Sequence, residues 1–156
     1  MSKTTFTNNI DLVADMLKEQ AVQFLYEAGG ELLTQVTRNV PVDSGDLKGS
    51  FKLIVDEDEL VAYVGSPQEN AIWTEFGTGE YAVNGDGRKG AWYVPVDKVV
   101  GKSKPTYEGK LTIVYGKNKK AYYKTDGKQP TRYFTNAYDK VKPKIERRLK
   151  SIMKGQ

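Results

Sequence analysis

The sequence predicts an α+β domain: a long N-terminal helix, short antiparallel β-strands forming a small sheet, and a C-terminal helix packed on it. Three observations carry this expectation. Residues 9 to 38 repeat apolar side chains at steps of three and four, five short strand-like runs follow between turn signals, and the helical period returns from Thr131 to about Met153. A single domain spanning 1–156 is expected, since the length suits one core of ordinary size.

The first helix is drawn by Ile10, Val13, Leu17, Ala21, Phe24, Leu25, Ala28, Leu32 and Val36, which share one face. Asn8 is placed to cap it, and Asp11 complements the dipole of its first turn. Gly29-Gly30 implies either a bend or the close approach of another backbone, and Pro41 ends the helix by forcing Val40 toward extended geometry. Asp43-Ser44-Gly45 reads as a turn. Strands are expected at Phe51–Val55 and Leu60–Gly65, joined by Asp56-Glu57-Asp58-Glu59; four adjacent carboxylates at a hairpin tip read as a solvated turn in preference to a metal site. A helical turn then carries Ile72, Trp73 and Phe76. Residues 81 to 91, with Gly85, Gly87 and Gly90, read as a mobile loop. Further strands are expected at Trp92–Val96, Leu111–Tyr115 and Ala121–Lys124. The last helix keeps its period across Pro143, which predicts one kinked helix and not two. Disorder is expected only at the extreme termini.

Composition narrows function by exclusion. The chain has no cysteine and no histidine, so disulfides, thiolate ligands, imidazole zinc sites and Ser-His-Asp triads are all ruled out. No apolar run approaches the roughly 18 residues that span a bilayer, and the first residues lack the apolar stretch of a signal sequence. The protein is therefore expected in the cytoplasm where it is made, with no membrane partner and no cofactor. Net charge is +4, yet Lys140 to Gln156 alone carry +6, so the body is slightly acidic and the tail basic. Such a tail reads first as a solvated helix face and second as a contact for a polyanion.

Two blocks stand out: Pro41-Val42-Asp43-Ser44-Gly45-Asp46-Leu47-Lys48-Gly49-Ser50-Phe51, and Ala71-Ile72-Trp73-Thr74-Glu75-Phe76-Gly77-Thr78-Gly79. The glycines of the second follow a helical turn and lead into a loop, which is the wrong context for a phosphate-binding G-x-G. They are expected to take positive φ and reverse the chain after Phe76 anchors in the core. Trp73, Phe76 and Phe134 are expected to form a packing centre. Glu75, the one carboxylate between Asn70 and Gly79, is expected to cap backbone N–H groups of the following turn or to pair with a base. A hydrolytic role with Asp43 or Asp46 is the weaker reading, because a lone carboxylate makes no acid–base pair. Tyrosines interleaved with Lys117 to Lys124 read as cross-strand packing before base stacking.

Taken in order, these blocks resemble the signature of a family of small tail-component proteins of long-tailed bacteriophages. The resembling residues are Val40 to Leu47 with Gly49-Ser50-Phe51, then Val64-Gly65, then Trp73-Thr74-Glu75-Phe76-Gly77-Thr78-Gly79, and finally Gly127, Pro130, Arg132, Tyr133 and Phe134 opening the last helix. Pro143 is similar to a proline that the family's final helix tolerates. The resemblance extends over residues 9 to 153, and the glycine- and lysine-rich stretch Asn84 to Lys119 departs from it. It implies a non-enzymatic virion protein of the neck, joining or completing the head–tail connection. The implied partners are other neck and tail proteins and further copies of itself in a ring, with assembly in the host cytoplasm. It also implies structural roles for Pro41, Asp43, Gly45, Leu47, Trp73, Glu75, Phe76, Gly77, Thr78, Gly79, Pro130, Arg132 and Phe134. Lys144, Arg147, Arg148 and Lys150 are the residues that would face packaged DNA if the basic helix lines a channel. The alternative is a small nucleic-acid-binding module built on that same helix.

Overall fold

A computed structural model describes residues 9–42, 45–98, 112–116 and 119–154. Helix α1 spans Ile10–Asn39, α2 Asp46–Ser50, α3 Glu69–Phe76 and α4 Tyr133–Met153; the strands are β1 Lys52–Asp56, β2 Val61–Gly65, β3 Trp92–Pro95, β4 Thr112–Tyr115 and β5 Ala121–Thr125. The α+β class and the two long terminal helices are as the sequence predicts. The strands, however, divide between two sheets: a β1-β2 hairpin and a three-stranded antiparallel sheet in the order β3-β5-β4. The main partner of α4 is α1 and not a sheet.

Helix α1 organises the first half. Its end is set where Pro41 predicts, with Val40 extended at ψ 125° and its N–H still bonded to Val36 O. Its start lies at Ile10 with Asn9 in the capping position and no side-chain cap; the expected cap, Asn8, lies outside the described residues, as do Asp43, Ser44 and both extreme termini. Gly45 takes φ 85° and opens the short α2, where a plain turn had been expected. In the hairpin, Leu53 pairs with Val64 and Val55 with Ala62, while Ile54 and Tyr63 pair on the exposed face. The acidic tip is a bracket on α1: Lys18 Nζ meets Asp58 Oδ1 at 3.0 Å, and the Tyr26 hydroxyl donates to Glu57 at 2.9 Å. Asp56 Oδ1 closes the tip by accepting from the N–H groups of Asp58 and Glu59.

Gly29 and Gly30 have different reasons. A Cβ on Gly29 would run into the Leu53 side chain, whereas one on Gly30 would meet nothing within 4 Å. What comes close at Gly29 is thus a side chain and not the backbone expected from the pair, and Gly30 has no such neighbour.

Helix α4 lies antiparallel along α1. Asn39 Nδ2 donates to Tyr133 O at one end, and Lys144 and Arg148 meet Glu31 and Glu27 further along. It runs through Pro143 as one helix, so the Asp139 carbonyl lacks the N–H it would otherwise accept from. With Arg148 opposite Glu27 and a 1.5 Å rise on both helices, the end of α4 falls opposite about residue 22 of α1. The first turns of α1 consequently project past it.

The core is a small cluster of Val36, Val40, Leu47, Phe51, Ala71, Tyr133 and Ala137, with Leu32, Leu33 and Phe134 against it. Phe51 is its aromatic hub, edge-on to Tyr133 at 5.7 Å and tilted on Phe134 at 6.5 Å. The expected centre of Trp73, Phe76 and Phe134 is not found. Trp73 is 53% exposed and Phe76 39% exposed, and only Phe134 touches the core. The reason is rotational: α3 turns Ala71, Thr74 and Glu75 inward, so the opposite face necessarily carries Ile72, Trp73 and Phe76.

Phe51→Ala should cost about 3–5 kcal/mol as a buried aromatic truncation, and Phe76→Ala about 1 kcal/mol as a partly exposed one; urea midpoints of the two variants check the ranking. Gly30→Ala should raise stability by about 0.5–1 kcal/mol through helix propensity, while Gly29→Ala should gain less because its methyl displaces Leu53.

Candidate functional site

Two sequence blocks about fifty residues apart form one backbone-to-backbone unit. Helix α3 ends at Phe76, which leaves four carbonyls without intrahelical partners. Each finds one. Gly77 N–H bonds to Trp73 O at 3.0 Å, Thr131 N–H and hydroxyl to Thr74 O at 3.0 and 2.8 Å, Arg132 N–H to Glu75 O at 3.2 Å, and Val83 N–H to Phe76 O at 3.0 Å. The next residues continue the seam: Thr78 N–H donates to Lys128 O and Glu80 N–H to Asp126 O, both at 2.9 Å. The Thr78 hydroxyl in turn accepts from Lys128 N–H at 3.0 Å.

Such close passage explains the glycines. Gly77 and Gly79 take φ 73° and 63°, as the sequence reading requires. A Cβ on Gly77 would lie 2.8–2.9 Å from Lys128 O, Pro130 N and Tyr81 O, and one on Gly79 would strike Asp126 O and Gly127 Cα. Gly127 faces Thr78 in the same way. Both positive φ and the missing side chain are needed here.

At the centre sits Glu75, 4% exposed. Its carboxylate accepts from the N–H groups of Phe134 and Thr135 at 2.7 and 3.0 Å and from the Thr135 hydroxyl at 2.6 Å. These amides are the second and third of α4, so Glu75 caps that helix across 59 and 60 residues of sequence. A negative group there also meets the positive end of the helix dipole. The backbone-capping role expected of Glu75 holds, but the helix it caps is distant in sequence and not the following turn. Arg132, at the capping position itself, takes φ 54°, a conformation costly for a side chain with a Cβ and held by the bonds on either side of it. Tyr133 closes the unit, its hydroxyl donating to Ala71 O at 3.1 Å. Burial first, and then the Glu75 charge, push its phenol up to about 12 from the usual 10.0.

Chemically this unit is saturated. Both Glu75 oxygens are occupied by donors, Asp46 is exposed on α2, and Asp43 lies outside the described residues. Among the described residues no group of three or more acidic side chains is arranged to hold a metal ion, and no helix is long and apolar enough to cross a membrane. A polar groove of about 490 Å³ runs between α1 and α4, lined by Glu27, Glu31, Lys144 and Arg148. There Lys144 lies 2.6 Å from Glu31, and Arg148 lies 3.3 and 3.5 Å from Glu27 and Glu31. Two of the four basic residues proposed to face DNA, Lys144 and Arg148, are thus ion-paired with α1, and Arg147 and Lys150 are exposed. In β5, Tyr122 pairs with Pro95 and Val114, and Tyr123 with Val94 and Ile113, the cross-strand packing read from the sequence.

The available surface is apolar instead. Ile72, Trp73 and Phe76 stand out from α3, with Tyr81 and Val83 beside its end, all at least 39% exposed. The chain folds back after α3 through Gly79–Tyr81, Gly90 N–H reaches Glu80 at 3.2 Å, and Arg88 lies over the Trp92 ring at 5.4 Å. The sequence places Trp73 and Phe76 in the core, since periodicity gives a helix its faces without saying which one is inside.

Glu75→Gln should cost about 2–3 kcal/mol, since it removes a buried charged acceptor from two part-buried amides and turns an NH₂ toward them; denaturant unfolding checks this. Because the folded Tyr133 holds its proton longer than the unfolded one, its stabilisation is complete below pH 10 and is lost as pH rises from about 10 to about 12. At about 1.4 kcal/mol per pH unit the loss is on the order of 2–3 kcal/mol, and Tyr133→Phe should abolish that part of the alkaline slope.

Residues 4–77 match the family described as "Bacteriophage HK97-gp10, putative tail-component". No curated protein and no solved structure matches the chain. The matched stretch includes α1, α2, the β1-β2 hairpin and α3, and ends on Gly77, inside the seam with residues 126–135. Over residues 4–77, then, this chain carries the pattern of the bacteriophage HK97-gp10 tail-component family.

Proposed function

We propose that this protein is a structural subunit of the phage neck or tail end, which joins or completes the head–tail connection by oligomerising with neighbouring neck and tail proteins. It is made in the host cytoplasm, becomes part of the virion and performs no chemistry. The observation that carries this reading is α3 turned inside out, with polar residues in the seam and Ile72, Trp73 and Phe76 outside. A helix that spends its inner face on hydrogen bonds and shows its aromatic face to solvent is built to be covered by another protein. The saturated carboxylate and the polar groove offer nothing to a substrate, and the family match over residues 4–77 supports a tail role.

A ring requires two different complementary patches on each subunit. Contact with packaged DNA would rest on Arg147 and Lys150, given the ion pairs of Lys144 and Arg148. Inactivating the gene in its phage and imaging the lysate by negative-stain electron microscopy tests the proposal. DNA-filled heads separate from free tails are expected; intact infectious particles would refute it.

A further inference from the structure

We infer that the projecting N-terminal end of α1 in one copy docks on the exposed face of α3 in the next copy. This rests on the assembly role proposed above and specifies its contact. Ile10, Leu12, Val13, Met16 and Leu17 are each at least 52% exposed, although they belong to one helix. Ile10, Val13 and Leu17 continue the stripe that further along, at Ala28, Leu32 and Val36, packs inside the protein. Among the described residues the stripe outruns its cover, because α4 ends opposite about residue 22 and the hairpin tip reaches α1 at Lys18.

The second patch, around Ile72, Trp73 and Phe76, lies at the other end of α1. Ala71 and Tyr133 pack with Val36 and Val40 there, and α1 has 30 residues, about 45 Å of helix. The projecting end is part of that same rigid rod and cannot reach its own α3. A second copy brings the two patches together, and the contact is head-to-tail, which is the kind that closes rings.

Area supports this occupant. A half-exposed large side chain offers on the order of 100 Å², so each patch offers about 500 Å² and the pair about 1,000 Å². In an interface about 60% apolar this corresponds to about 1,600 Å² in total, the standard size for specific association. Either patch pressed on a polar surface would fall short. The chemistry also matches: aliphatic knobs on one side, and an aromatic platform held rigid by the Glu75 seam on the other.

The chain has no cysteine, so engineered thiols report without background. Full-length Val13→Cys and Ile72→Cys proteins are mixed under mild oxidation, and the same samples are sized by light scattering. Both sites are exposed, so neither substitution disturbs the core. The docking predicts a disulfide-linked heterodimer, with little cross-linking of either variant alone. Val13→Cys linking only to itself would overturn it in favour of arm-to-arm pairing. Oligomers without the heterodimer would overturn the docking and leave the assembly role standing. Monomers throughout, with no heterodimer, would overturn the docking and count against self-assembly of the free protein as well.

Discussion

The structure depends on one carboxylate at the start of one helix. Glu75 meets the second and third amides of α4, where unsatisfied donors and the helix dipole both call for an anion. Because those amides belong to the last helix and Glu75 to α3, a local capping bond becomes a long-range tie. Around it, every carbonyl at the end of α3 finds a donor from residues 77–132. The core beside it is small, and the seam adds a tie between α4 and α3 to the direct packing of α4 on α1. A well-satisfied buried network of this kind specifies a single arrangement, since any slip leaves several backbone groups unpaired at once.

The same constraint decides which way α3 faces. Thr74 and Glu75 must point inward to make the seam, and the helix period then sends Ile72, Trp73 and Phe76 outward. Exposed aromatics on a rigid support are the properties an assembly surface needs, with little ordering entropy to lose on contact. The buried seam and the exposed apolar surface are thus two faces of one short helix, the second being the face proposed for assembly.

Much of this was legible from the residues. The runs at Ile10–Val36 and Phe134–Ile152 declare their helices, because long elements repeat their period many times. Pro41, Gly77 and Gly79 declare their backbone geometry, because few conformations accept them. The orientation of α3 was not legible. An eight-residue helix reveals two faces, and an apolar face is ordinarily the buried one; here its assignment depended on a polar partner about 59 residues away. The division of the strands into two sheets was hidden for a similar reason, since β3 lies against β5 and not beside the hairpin that precedes it. The four blocks that resemble the family could be read singly, but that the third, Trp73 to Gly79, and the last, Gly127 to Phe134, are two sides of one seam emerges only in three dimensions.

Amide hydrogen exchange at Phe134 and Thr135 tests the central claim most directly. In an ordinary helix the first amides lack intrahelical partners and exchange through local fraying. If Glu75 ties α4 to α3, both amides should exchange as slowly as those of Thr78 and Thr131, with all four released together by global unfolding. Rapid exchange at Phe134 and Thr135 while Thr78 and Thr131 stay protected would contradict the account.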